Sequence, residues 1–113
     1  MVARNRLFTA PPYTVEQAVS RLGNNLRKAR IRRNYTIADI AEKIGTGSRA
    51  VMDAEKGKVS TGVGIYAALL WAYDLLGPFD DMADPAKDKQ GLILAGAKEK
   101  MRARKRAGLS NDF

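Results

Sequence analysis

From Tyr35 to Lys58 the chain reads Tyr-Thr-Ile-Ala-Asp-Ile-Ala-Glu-Lys-Ile-Gly-Thr-Gly-Ser-Arg-Ala-Val-Met-Asp-Ala-Glu-Lys-Gly-Lys. Ile37, Ile40, Ala41 and Ile44 recur at the three- and four-residue steps that place side chains on one side of a helix. Thr36 precedes them as an N-cap. Asp39 sits at the third helical position, where an acid complements the helix dipole. Gly45 ends this helix, because it enters the left-handed region at low cost. A second short helix runs from about Ser48 to Lys56, with Val51 and Ala54 inward and Gly57 as its stop. Two short helices on one Gly-centred turn predict a helix-turn-helix, a unit that presents its second helix to the DNA major groove.

Charge supports an anionic partner. The chain of 113 residues has a net charge of +8 and an isoelectric point near 10.1, which favours nucleic acid. Residues 1–35 hold eight Lys/Arg against one acid, and residues 92–113 hold six against two. Asp74, Asp80, Asp81, Asp84 and Asp88 cluster between these basic ends. The length suits one domain with a modest core.

Composition also removes alternatives. With no cysteine and no histidine, disulfides, thiolate metal sites, the usual general base and the commonest zinc ligand are all absent. Ser20, Ser48, Ser60 and Ser110 have no imidazole to activate them, and Asp80–Asp81 reads as solvated surface. The chain is therefore expected not to be an enzyme and to need neither cofactor nor metal. The apolar run Ala67–Tyr73 is too short to span a bilayer. Val2–Ala10 has Arg4 and Arg6 but no apolar core of a secretory signal. A cytoplasmic protein without a membrane partner is expected.

Around the central pair the pattern is helical. Residues 1–13, with Pro11 and Pro12, are expected as an extended basic arm. Thr14 and Gln17 fit a capping box, opening a helix to about Arg33 with the stripe Val15, Val19, Leu22, Leu26 and Ala29. Arg27, Lys28, Arg32 and Arg33 lie mostly off that stripe, either against phosphates or simply in solvent. Residues 58–64 form a loop. An apolar helix follows from Val63 or Ile65 to Leu76, terminated by Gly77-Pro78, with one further turn over Phe79–Ala83. Asp84-Pro85 is expected to open a last helix through Met101. Residues 14–101 thus form the domain, and 102–113 a basic flexible tail.

These residues resemble the Xre/Cro/phage-repressor type of helix-turn-helix. That pattern has Leu-x-x-x-Arg in the first helix, Ala in the second, a turn Gly, an aliphatic residue in the third, then Glu-x-Gly. Here the matches are Leu26 with Arg30, Ala41, Gly45, Val51, and Glu55 with Gly57. The resemblance implies an all-α fold, a five-helix lambda-repressor-like helix-turn-helix DNA-binding domain. It implies an internal ion pair between Arg30 and Glu55. It makes Ser48, Arg49, Met52 and Asp53 the base-reading surface, with Arg49 best suited to clamp guanine. Asp53 either accepts from cytosine or orients Arg49. Thr36, Gly47, Lys56, Lys58, Arg32 and Arg33 are the candidate phosphate contacts. Gly47 and Ile37 depart from the family, which usually has polar side chains at both places.

Members of this family bind double-stranded operator DNA as two-fold dimers, so a homodimer acting as a transcriptional repressor is implied. Tyr66, Trp71, Tyr73, Phe79 and Met82 offer a dimer or partner surface; the alternative is that they are core beneath the carboxy-terminal segment. The stretch Leu69–Gly91 (Leu/Asp-Pro/Asp-x-x-Gly), followed by a basic end, is similar to the small HipB-like antitoxins that accompany HipA-like kinase toxins. A HipA-like kinase toxin is accordingly a second candidate partner. In that alternative the chain is an interaction module that neutralises the kinase, and DNA binding is secondary. An RNA-binding or nucleoid protein that uses only the basic ends has no need of Gly45, Glu55 and Gly57 in register.

Overall fold

The computed structural model describes residues 5–111, with side chains described for residues 5–107. Among these residues the fold is all-helical. The helices are α1 (Arg6–Thr9), α2 (Tyr13–Arg32), α3 (Ile37–Ile44), α4 (Ser48–Glu55), α5 (Val63–Ala72), α6 (Gly77–Asp80) and α7 (Lys89–Asn111). The chain divides after Phe79 into two compact units. No helix among the described residues is long and apolar enough to cross a membrane.

In the first unit, α2 to α5 share one core of Leu26, Ala29, Ile40, Ala41, Val51, Ala54, Tyr66, Leu69 and Tyr73. Ile40, Val51 and Leu69 are completely buried, and each such side chain contributes about 1.5–3 kcal/mol relative to exposure. The stripe on α2 feeds this core from Leu26 and Ala29, with Val19 and Leu22 partly buried beside it. Val15, at the far end of the stripe, is 38% exposed.

The helix ends follow one local rule. Asn34, Gly45, Gly57 and Asp74, which follow α2, α3, α4 and α5, all take positive φ. A left-handed residue turns the next N–H back onto the helix: Thr46 donates to the Ala41 carbonyl at 2.9 Å, Lys58 to Asp53 at 3.1 Å and Leu75 to Leu70 at 2.8 Å. This corrects the end of the apolar helix. It stops at Ala72 rather than Leu76, because Asp74 reverses the chain two residues later. Gly77-Pro78 then opens α6 instead of terminating α5, as proline suits a helix's first turn.

Two helix starts also differ from expectation. Pro12, not Thr14, is the N-cap of α2, and no side chain caps it. The Pro12 carbonyl already accepts from the Glu16 N–H at 3.0 Å, so the helix starts before Thr14 can cap it. The expected extended arm contains a helical turn, α1, whose N-cap Asn5 accepts from the Leu7 N–H at 3.0 Å. Residues 1–4 lie outside the described residues.

In the second unit, Asp84 does not open the last helix. Its side chain accepts from the Ala86 N–H at 3.0 Å, closing a turn two residues long. Asp88 caps α7 instead, accepting from the Gly91 N–H at 3.0 Å through its side chain and from Leu92 at 2.9 Å through its carbonyl. α7 passes through Gly91 and Gly96 and continues to Asn111. The segment expected as a flexible tail is therefore helical up to that residue, and residues 112–113 lie outside the described residues.

Candidate functional site

α4 is anchored from behind. Val51 and Ala54 are completely buried, which turns Ser48 and Arg49 outward, both exposed. The Arg49 side chain is 77% exposed, with its Nε 3.5 Å from Asp53 Oδ1 one helical turn on. Lys58 Nζ approaches the same oxygen at 3.1 Å. Asp53 thus braces two cations, a positioning geometry rather than a reading one. Met52 is half-buried and borders a hollow with Arg27, Ile37 and Lys56. Gly47 is the N-cap of α4 and supplies no side-chain bond.

The other end of α4 is tied down by charge. Arg30 Nε donates to Glu55 Oε2 at 2.7 Å and Nη2 to Oε1 at 3.0 Å, a bidentate pair. A third donor, Nη1, reaches the Tyr35 carbonyl at 2.9 Å. The two side chains are only 12% and 7% exposed. The hydrogen bonds from Glu55 raise the Arg30 pKa above its ordinary value, outweighing the opposing effect of burial. One guanidinium therefore joins α2, the approach to α3 and the end of α4.

Backbone contact sets the spacing between α2 and α4. A Cβ on Gly23 would lie 2.5 Å from the Ala54 carbonyl oxygen, and one on Gly57 would lie 2.5 Å from Ser20 Cα. Gly23 was not singled out from the sequence. Its signal was a glycine between Leu22 and Leu26 on a helical stripe, where only close packing makes it useful.

Several expected phosphate contacts are already engaged. Arg33 donates from Nη1 to the Ala29 carbonyl at 2.9 Å and from Nη2 to the Tyr73 carbonyl at 3.0 Å. Its guanidinium also lies 5.3 Å from the Tyr73 ring centre. Arg33 is a clamp between the ends of α2 and α5, which corrects its phosphate role. Thr36 and Asp39 form a complete capping box: the Thr36 hydroxyl accepts from the Asp39 N–H, and the Thr36 N–H donates to Asp39 Oδ2, both at 3.0 Å. These bonds lower the Asp39 pKa, so a carboxylate already occupies the helix end where Thr36 was expected to meet phosphate. Arg32, Lys56 and Lys58 remain exposed. Arg32 lines a hollow with Asn25, Lys28 and Leu75.

The aromatic surface also needs correction. Tyr66 and Tyr73 are core residues, 6% and 1% exposed, whereas Trp71 and Met82 are 57% and 64% exposed. Phe79 is half-buried. The apolar helix had no polar side from which its inner face could be read. Tyr66 donates its hydroxyl to the Lys58 carbonyl at 3.1 Å. The Tyr73 hydroxyl is buried without a hydrogen-bond partner among the described residues.

Burial, reinforced by Glu55 and opposed by Arg30 and Arg33, pushes the Tyr73 pKa up from 10.0 to about 12. A raised folded-state pKa means that this contribution is complete below pH 10 and is lost as pH rises through about 12. Unfolding melts across that window should show a fall in stability that is smaller in Tyr73→Phe. An unchanged fall in Tyr73→Phe would assign the alkaline loss to other groups, such as Tyr66, whose pKa is also raised by burial.

Compared with known proteins, the chain matches no family model, no curated protein and no solved structure.

Proposed function

We propose that the chain is a sequence-specific DNA-binding transcriptional regulator, acting in the cytoplasm on operator DNA through a lambda-repressor-like helix-turn-helix formed by α3 and α4. The observation that carries this reading is the construction of α4. Buried Val51 and Ala54 and the Arg30–Glu55 pair hold its inner side, while Ser48 and Arg49 project from its exposed first turn. A short helix held this firmly, with a cation at its front, suits insertion into the major groove. In this reading Arg49 clamps guanine and Ser48 reaches a base or phosphate. Met52 offers apolar contact, and Asp53 orients Arg49. Lys56, Lys58 and Arg32 contact phosphates. Binding as a two-fold homodimer makes the regulator a repressor, plausibly of its own gene.

Gel shifts against the upstream region test this. Arg49→Ala should weaken specific binding by about 1–3 kcal/mol, roughly 5- to 150-fold, and relax base preference at one position of each half-site. Lys56→Ala should weaken binding evenly across sequences and lower the salt slope by about one unit. Operator selectivity that survives Arg49→Ala would remove the role assigned to Arg49.

Exposed Trp71 supports a second reading, an antitoxin-type module that neutralises a HipA-like kinase toxin. A tryptophan more than half exposed on a small unit is a common anchor for protein partners. Trp71→Ala that abolishes a complex with the adjacent gene's kinase, while operator binding persists, would favour this reading.

A further inference from the structure

α7 is 23 residues long, about 35 Å, and none of its described side chains is buried. Leu92, Ile93, Leu94 and Met101 are 54, 72, 62 and 62% exposed. A helix with no packed face gains nothing from tertiary burial, and Gly91, Gly96 and Gly108 weaken this one further. The helix needs a partner.

The apolar residues are not scattered. At helical spacing Ile93, Leu94, Ala97 and Met101 converge on one side. Charge is segregated along the axis. Asp80, Asp81, Asp84 and Asp88 stand at or before the start of α7, offset only by Lys87. Lys98, Lys100, Arg102, Arg104, Lys105 and Arg106 crowd its later half, offset only by Glu99. Each end therefore complements the opposite end of an identical segment.

We infer that α7 pairs antiparallel with α7 of a second copy of this chain, crossing at Ala97. A two-fold axis there sets Ile93 against the partner subunit's Met101, and the small Ala97 lets the two axes approach. The acidic start of each helix lies beside the basic half of the other. A parallel pair would instead set six cations against six, which like-charge repulsion opposes. This deepens the two-fold dimer proposed above by naming its surface. Oligomeric state is measured without DNA, so failure here and failure of DNA binding are read separately.

The chain has no cysteine, which makes cross-linking clean. Full-length Ile93→Cys and Met101→Cys chains are purified separately, then mixed and mildly oxidised. Antiparallel pairing predicts that the mixed disulfide dominates, with little cross-linking of either variant alone. Dominant 93–93 and 101–101 products overturn it. In sedimentation equilibrium the unmodified chain should have twice its mass of 12.4 kDa, and Ile93→Lys with Met101→Lys should return it to that mass. A monomeric unmodified chain overturns the inference, as does a dimer that survives the double substitution. The cysteine substitutions add no charge, so that arm stands even where the lysine variant misfolds.

Discussion

Glu55→Ala is expected to lower stability by about 3–5 kcal/mol, and Arg30→Ala by a similar amount. Both partners are nearly buried, and each relies on the other. Without Glu55, the Arg30 guanidinium keeps only the Tyr35 carbonyl as a described partner. Without Arg30, the Glu55 carboxylate, 7% exposed, loses donors at 2.7 and 3.0 Å. The penalty comes from the stranded charge more than from the pair itself. Replacing both by apolar residues, Arg30→Met with Glu55→Leu, should therefore cost much less than the sum of the single changes. Urea melts of the single and double variants measure this. Losses below about 1 kcal/mol for both single variants would give the pair only the worth of a surface ion pair.

Gly57→Ala should cost about 2–5 kcal/mol, from two separate causes. Its φ of +70° is unfavourable for a residue with a Cβ. The added methyl would also lie 2.5 Å from Ser20 Cα, so α2 and α4 must separate. Gly45→Ala isolates the first cause. Its φ is +79°, but a Cβ there meets nothing within 4 Å, so about 1–2 kcal/mol is expected. Gly23→Ala isolates the second, since a Cβ there meets the Ala54 and Glu55 carbonyl oxygens at 2.5 and 2.8 Å. Equal losses at Gly57 and Gly45 would show that close approach does not set the α2–α4 spacing. Because this spacing positions α4, Gly23→Ala should also disturb whatever Arg49 contacts.

Local signals were readable where one residue decides the outcome. Thr36 with Asp39, Gly45 and Gly57 each act through bonds or dihedrals within a few residues, and each stands in the structure at the place that its chemistry indicates. Where two local signals competed, the sequence could not rank them. Thr14 and Pro12 both suit a helix start, and the Pro12 carbonyl engages first. Asp84 and Asp88 are both good caps, but Asp84 is drawn into its own turn. Gly77-Pro78 reads equally well as a stop or a start.

The sequence by itself determined the helical periodicities, the caps, the turn at Gly45 and the basic ends, because these depend on neighbours within about one helical turn. Only the tertiary structure decided which cations are engaged and which aromatics are core. Arg33 reaches the Tyr73 carbonyl across 40 residues of chain, and no periodicity announces such a bond. Tyr66 and Tyr73 became core while Trp71 stayed outside, because α5 is apolar all round and only its neighbours choose its inner face. The helix pair between Tyr35 and Lys58 belongs to both levels. Its residues encode two helices and a turn, but its outward face exists because Gly23, Arg30 and Glu55 hold α4 against α2.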